Sequence, residues 1–170
     1  MSKNKNLTKT ITRAGVIAAL YATTSFVTAP IASGAVQVRL SEALTLLALL
    51  FPEAIPALFV GCFISNFVTG CATLDVVLGS LITLVAALLT RFVGIKIKST
   101  SLKIILGGLF PVILNAVFLP LIWLLCYGTG EYVYVLQVAM LLVGQALSVY
   151  ALGTPLYLSV LKMKGVIDKN

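Results

Sequence analysis

QVRLSEALTLLALL, Gln37–Leu50, is the stretch on which the reading of the fold turns. Arg39 and Glu42 stand three residues apart in it, between two long charge-free runs, Ala14–Val38 and Ala54–Leu74. The segment Glu42–Phe51 is only ten residues, about 15 Å long as an α-helix. A bilayer's hydrocarbon core is about 30 Å thick. The segment is therefore either a short, tilted or partly submerged span of its own, or the first half of a broken span continuing to Gly70.

Charge decides between the two. With six spans, Lys3, Lys5, Lys9, Arg13, Arg91, Lys96, Lys98, Lys103, Lys162, Lys164 and Lys169 all fall on one side of the membrane, and Arg39 alone on the other. With five spans, the Arg91–Lys103 cluster and the basic tail move opposite the basic N-terminus. Basic residues collect on the cytoplasmic side, so the pattern predicts six spans with both termini in the cytoplasm.

The composition demands a membrane. Of 170 residues, 60% are hydrophobic and 10% charged, with mean hydropathy +1.11. A soluble domain carries about 25% charged residues, and this chain has too few to cover a water-facing surface. The net charge of +7 does not point to nucleic acid, because the basic residues avoid the hydrophobic runs and mark one membrane side. The expectation is an all-α, multi-pass integral membrane protein. Residues 1–13 form a basic cytoplasmic N-terminus, 14–161 a six-helix transmembrane domain and 162–170 a basic cytoplasmic tail.

Working outward, Ala14–Ala29 is the first span. A signal peptide is the competing reading, but its apolar region runs about 7–15 residues, shorter than this stretch. Ala14, Ala18 and Ala22 share one helix face, where small residues admit another helix closely, either within the bundle or on another subunit. Pro30–Leu40 reads as a loop, with Ser41 as a cap for the next helix and Glu42 in its first turn. The run FPEAIP, Phe51–Pro56, reads as a turn. The later spans are Ala57–Gly70, Leu74 to about Gly94, Ile104–Cys126 with Pro111 and Pro120 as kinks, and Val135–Leu161.

This topology sorts the polar residues by depth. Gln37, Arg39, Glu42, Asp75 and Glu131 fall near the outer ends, Asn66 just below them, and Asn115 and Gln145 near mid-membrane. Intramembrane polar groups face a bundle interior or cavity, so Arg39, Glu42, Asn66, Asp75, Asn115 and Gln145 are the candidate binding residues. Phe63, Phe67, Phe118, Trp123 and Tyr127 are the expected walls. Each has a plainer role open to it. Glu42 pairs with Arg39 or stabilises a helix start, Asp75 caps the fourth helix, the amides bond between helices, and Trp123 with the tyrosines forms an interfacial belt. Glu53 reads as solvated or as touching a partner, and Glu131 as solvated.

Other chemistry is missing. The chain has no His, which rules out a Ser–His couple and an HExxH metal site. It carries no GxxxxGK[ST] phosphate loop. Cys62, Cys71 and Cys126 are embedded in apolar sequence and read as small packing residues. No enzyme, cofactor or metal site is expected.

The blocks QVRLSEAL, FPEAIP and LDVVLGSL make the chain, from about Thr10 to Leu161, resemble the QueT family. The Arg39/Ser41/Glu42 block is the most specific part of the likeness, and Ala14, Ala18 and Ala22 match the family's Ala-xxx-Ala pattern. These proteins are substrate-binding S components of energy-coupling factor (ECF) transporters, assigned to queuosine precursors. The resemblance implies an S-component-like six-helix bundle in the bacterial cell membrane. Its first helix would pack on an ECF scaffold subunit that carries two ATPase subunits. The bundle would topple in the lipid to deliver its ligand, a deazaguanine such as aminomethyl-deazaguanine or queuine. Glu42 and Asp75 would accept its N–H and ammonium groups, Asn66, Asn115 and Gln145 would read its carbonyl and ring nitrogens, and Arg39 would bind or orient Glu42. An S component for another vitamin and a stand-alone small secondary transporter are the alternatives.

Overall fold

The computed structural model describes residues 2–32, 38–128 and 134–167, and every element among them is helical. The first helix is Ser2–Ala32, followed by a short helix, Leu40–Leu49, and a third, Ala54–Val68. A fourth, Asp75–Lys96, opens with a π turn over Asp75–Gly79. The fifth is Thr100–Tyr127. Tyr134–Ala146, a π turn Leu147–Leu152 and Gly153–Ile167 run end to end as the sixth. Among the described residues, three helices are long and apolar enough to cross a membrane: Asp75–Lys96, Thr100–Cys126 and Tyr134–Lys164. Leu40–Leu49 and Ala54–Val68 are apolar but shorter, and the first helix spends its first third on the basic N-terminal sequence.

Several boundaries differ from the sequence reading. The first helix starts at Ser2 and continues past Pro30. The third begins at Ala54, inside the expected turn, because Pro56 falls in its first turn, where a missing N–H breaks no helical bond. Ser41 is not a cap: Arg39 holds that position with extended backbone and no side-chain cap bond.

The short helix is the axle of the bundle. It has 3₁₀ geometry over ten residues, a length at which such helices are uncommon, and at about 2.0 Å per residue it reaches about 20 Å rather than the 15 Å of an α-helix. In a 3₁₀ helix residues three apart align, and this splits the leucines into two columns. Leu44 and Leu47 pack with Ile17 and Tyr21 of the first helix and Ala57, Leu58 and Cys62 of the third. Leu46 and Leu49 pack with Val93 of the fourth helix, Ile104 and Val112 of the fifth, and Val149 and Tyr157 of the sixth. The third column is Glu42, Thr45 and Ala48, with the Thr45 hydroxyl donating to the Glu42 carbonyl at 2.6 Å. Residues 41–49 are all buried.

Lipid supplies no hydrophobic drive for helices to associate, so close packing must. Two glycines allow it here. A β-carbon on Gly94 would stand 2.7 Å from the Leu49 carbonyl oxygen, and one on Gly153 2.9 Å from that of Ala43.

Cations gather at the C-terminal end of the short helix, where carbonyls lack helical partners and the dipole is negative. Arg91 donates to the Leu49 carbonyl at 3.0 Å and Lys164 to that of Leu50 at 3.5 Å. Arg13 pairs with Glu53 at 2.9 Å, and the Phe51 ring lies between Arg13 and Lys164, with centroid distances of 4.9 and 5.3 Å. Glu53 is therefore buried and paired, not solvated as its place in the sequence suggested. Arg13 and Lys164, from the two ends of the chain, meet at the same end of the bundle. Arg39 lies at the opposite end of the short helix.

Pro111 and Pro120 both sit inside the fifth helix. Pro111 has no N–H for the carbonyl of Gly107 four residues back, and the Thr90 hydroxyl donates to that carbonyl at 2.8 Å instead.

Candidate functional site

At the Arg39 end, the interior is polar. Glu42, Asn66, Asp75, Asn115 and Gln145 are all buried. Glu42 enters from the first turn of the short helix, Asn66 from near the end of the third and Asp75 from the start of the fourth. Asn115, Leu119 and Trp123 fall at i, i+4 and i+8 on the fifth helix, a single stripe about 12 Å long along the axis. Gln145 comes from the sixth, one turn beyond Leu141, which packs with Ala116 and Leu119.

Hydrogen bonds divide the site into two stations. In the first, the Tyr21 hydroxyl of the first helix donates to Glu42 Oε1 at 2.6 Å. The Asn115 amide approaches the same carboxylate without completing a bond. In the second, the Trp123 indole N–H donates to Asp75 Oδ2 at 3.2 Å, and the Asn66 amide donates to the Asp75 main-chain carbonyl at 3.4 Å. Gly79 leaves room in this station: a β-carbon there would come 3.0 Å from Asp75 Oδ1, 3.2 Å from Asn66 Nδ2 and 3.6 Å from Leu119 Cδ2.

Arg39 joins the second station over the ring of Trp123, its guanidinium carbon 5.8 Å from the centroid. Its charge reaches both Asp75 and Glu42, but it makes no ion pair with either at 4.0 Å or less. The expected Arg39–Glu42 pair is thus replaced by Tyr21–Glu42, because the short helix turns the two side chains to different neighbours. Asp75 does not cap the fourth helix; its carboxylate is committed inward to Trp123.

The five most telling atoms are those without protein partners. Glu42 Oε2, Asp75 Oδ1, Asn115 Nδ2 and both amide atoms of Gln145 are buried with no hydrogen bond. Nearly all buried polar groups in folded proteins are bonded, and leaving one bare costs about 1–3 kcal/mol, more for a charged group. Together they offer two carboxylate acceptors, amide donors and an amide acceptor, the complement of a polar, hydrogen-bonding solute. No three metal-ligating His, Cys, Asp or Glu side chains converge among the described residues.

Other expectations fared differently. Phe63, Phe67 and Phe118 are exposed, on the outside of the bundle rather than walling the cluster. Trp123 is an interior hydrogen-bond donor and not only a belt residue. Tyr134 donates to the Val117 carbonyl at 2.9 Å, tying the fifth and sixth helices. Gln37, Glu131, Tyr132 and the Tyr127 side chain lie outside the described residues. Ala14 and Ala18 pack against the inner cluster of the first and third helices, with the Ala18 carbonyl 2.8 Å from where a β-carbon on Gly61 would be. Ala22 is half-buried. Tyr21 was the residue the sequence reading missed. Its signal was a phenol within the apolar first span, too far from its own backbone to bond there as the span's Thr and Ser hydroxyls can, so that it must find an acceptor on another helix.

Three helices long and apolar enough to cross a membrane, packed around interior polar groups, mark a membrane protein. The chain belongs to the QueT transporter family, whose model matches residues 11–162. No curated protein matches the chain. No solved structure matches it.

Proposed function

We propose that this transporter-family chain is the substrate-binding S component of an ATP-driven ECF importer, and that its ligand is a queuosine precursor of the deazaguanine class. The observation that carries this reading is the set of buried, unpartnered atoms on Glu42, Asp75, Asn115 and Gln145. The edge of a guanine-like base presents adjacent N–H donors to a carboxylate, and an aminomethyl arm presents an ammonium to a second. The carbonyl and ring nitrogens of such a base are matched by amides. Arg39, stacked on Trp123, stands at the mouth of the cluster.

In this reading the Arg13, Arg91 and Lys164 end of the bundle is cytoplasmic, following the preference of basic residues for that side. The polar cluster then opens outward and the six helices all span or enter the bilayer. The chain has no phosphate loop, so ATP hydrolysis falls to two ATPase subunits on a scaffold subunit, with lipid surrounding the bundle. Ala14, Ala18 and Ala22 are proposed as the part of the first helix that approaches the scaffold, although Ala14 and Ala18 also pack within the bundle against the third helix.

Mass spectrometry of the small molecule that co-purifies with the protein tests the substrate. A deazaguanine is expected; riboflavin, thiamine or a pterin in its place overturns the substrate and leaves the architecture standing. Reconstitution tests the class. Vesicles holding the chain alone are expected to bind the ligand without accumulating it, and uptake by the chain alone would make it a secondary transporter.

A further inference from the structure

Each buried carboxylate of the cluster is gripped on one oxygen only. Tyr21 holds Glu42 Oε1 and leaves Oε2 bare, while Trp123 holds Asp75 Oδ2 and leaves Oδ1 bare. Both donors are aromatic side chains carrying a single O–H or N–H, and both come from a helix other than the one bearing the acid. A single donor on one oxygen leaves the lone pairs of the other free to accept. Gly79 keeps the Asp75 Oδ1 side uncovered, since any β-carbon there would press on that oxygen at 3.0 Å. The two stations lie at different levels of the fifth helix, Asn115 beside Glu42 and Trp123 beside Asp75, two helical turns apart.

We propose that Tyr21 and Trp123 are positioning residues that set the orientation of Glu42 and Asp75, so that the site selects a solute bearing two separate donor groups. The inference rests on the reading of this cluster as the ligand site. Neither aromatic needs to touch the solute: each acts through the carboxylate it holds. A solute with only one donor group engages one station and leaves the other carboxylate bare, which is the basis of rejection.

The test uses the full chain in lipid nanodiscs, with 7-aminomethyl-7-deazaguanine as probe and 7-deazaguanine, lacking the ammonium arm, as its truncated partner. Tyr21→Phe and Trp123→Phe keep the rings and remove only the donors. Each is expected to weaken the full probe about 10-fold or more in calorimetry, the usual effect of losing a hydrogen bond to a charged group. One of the two variants is expected to bind the truncated probe as the wild type does, because the carboxylate it releases no longer has a ligand group to meet. A packing role would weaken both probes equally. Equal weakening of both probes by both variants, or full-probe affinities within about threefold of wild type, which is under 1 kcal/mol, overturns the inference. Trp123 is the only tryptophan, so emission from the Tyr21→Phe protein also reports whether Asp75 still holds the indole. Should Trp123→Phe fail to fold, Asp75→Asn takes its place in the comparison of probes, since it empties the same station. Failure of the underlying reading looks different: the wild type binds neither probe, or Glu42→Gln and Asp75→Asn bind the full probe unchanged.

Discussion

Among the described residues two glutamates are buried, and their surroundings assign them opposite work. Glu53 has a full-charge partner, Arg13, at 2.9 Å, but that arginine is 44% exposed. Glu42 has only the Tyr21 hydroxyl and keeps one oxygen bare. Glu53→Gln is therefore expected to leave ligand affinity unchanged and to lower stability by about 1 kcal/mol, the scale of a screened pair. Glu42→Gln is expected to weaken binding by about tenfold or more, as for a lost charge-assisted bond. Calorimetry on both variants, alongside thermal unfolding in the same detergent, checks the separation; a Glu53→Gln protein that binds poorly would merge the two roles. The candidate polar residues were legible in the sequence because an amide or carboxylate inside an apolar run has few explanations. Tyr21 was not legible, since a tyrosine in a span is usually packing and its acceptor is known only once the first and short helices are side by side. The phenylalanines were misread for a related reason: an aromatic residue's face of the helix follows from packing that a uniformly apolar helix does not reveal.

At the scale of elements, the short helix holds the others together through contacts that tolerate little added volume. A methyl group at Gly94 would meet the Leu49 carbonyl oxygen at 2.7 Å, a backbone atom that cannot swing away. Gly94→Ala is expected to destabilise by about 1–3 kcal/mol, the range for overpacking a filled interior, read as a fall in the unfolding midpoint of the purified protein. An unchanged midpoint would mean the short helix shifts freely against the fourth. Thr90 gives a second, sharper case. Its hydroxyl bonds the Gly107 carbonyl that Pro111 leaves without a helical donor. Thr90→Val is expected to cost about 1 kcal/mol, and much less in a Pro111→Ala background, where the helix supplies its own N–H. Equal losses in both backgrounds would show that Thr90 acts by packing. The existence of six helices and most of their ends was readable from the length of apolar runs and the charges between them. The 3₁₀ geometry of Leu40–Leu49 was not, because its three-residue leucine pattern is equally compatible with one face of an α-helix until the neighbours fix both columns.

At the scale of the molecule, the bundle has two chemically distinct ends, and native cysteines mark one of them. Cys71 follows the third helix and bonds through its N–H to the Asn66 carbonyl at 3.1 Å, four residues before Asp75. Cys126 packs beside Ala116, Leu119 and Ile122, three residues past Trp123. Both are partly accessible, whereas Cys62 is buried. If the polar cluster opens outward, a membrane-impermeant maleimide applied to intact cells labels Cys71, in the connection between the third and fourth helices, without permeabilisation. A cysteine introduced at Lys98, in the connection between the fourth and fifth helices, is then reached only after the membrane is opened. The same sidedness requires tags at both chain ends to be protected in intact cells, because Arg13 and Lys164 meet at the end of the short helix remote from Arg39. Labelling of Lys98→Cys from outside, with Cys71 protected, would invert the bundle. The cluster of Glu42 and Asp75 would then face the cytoplasm, and import from outside could not begin there.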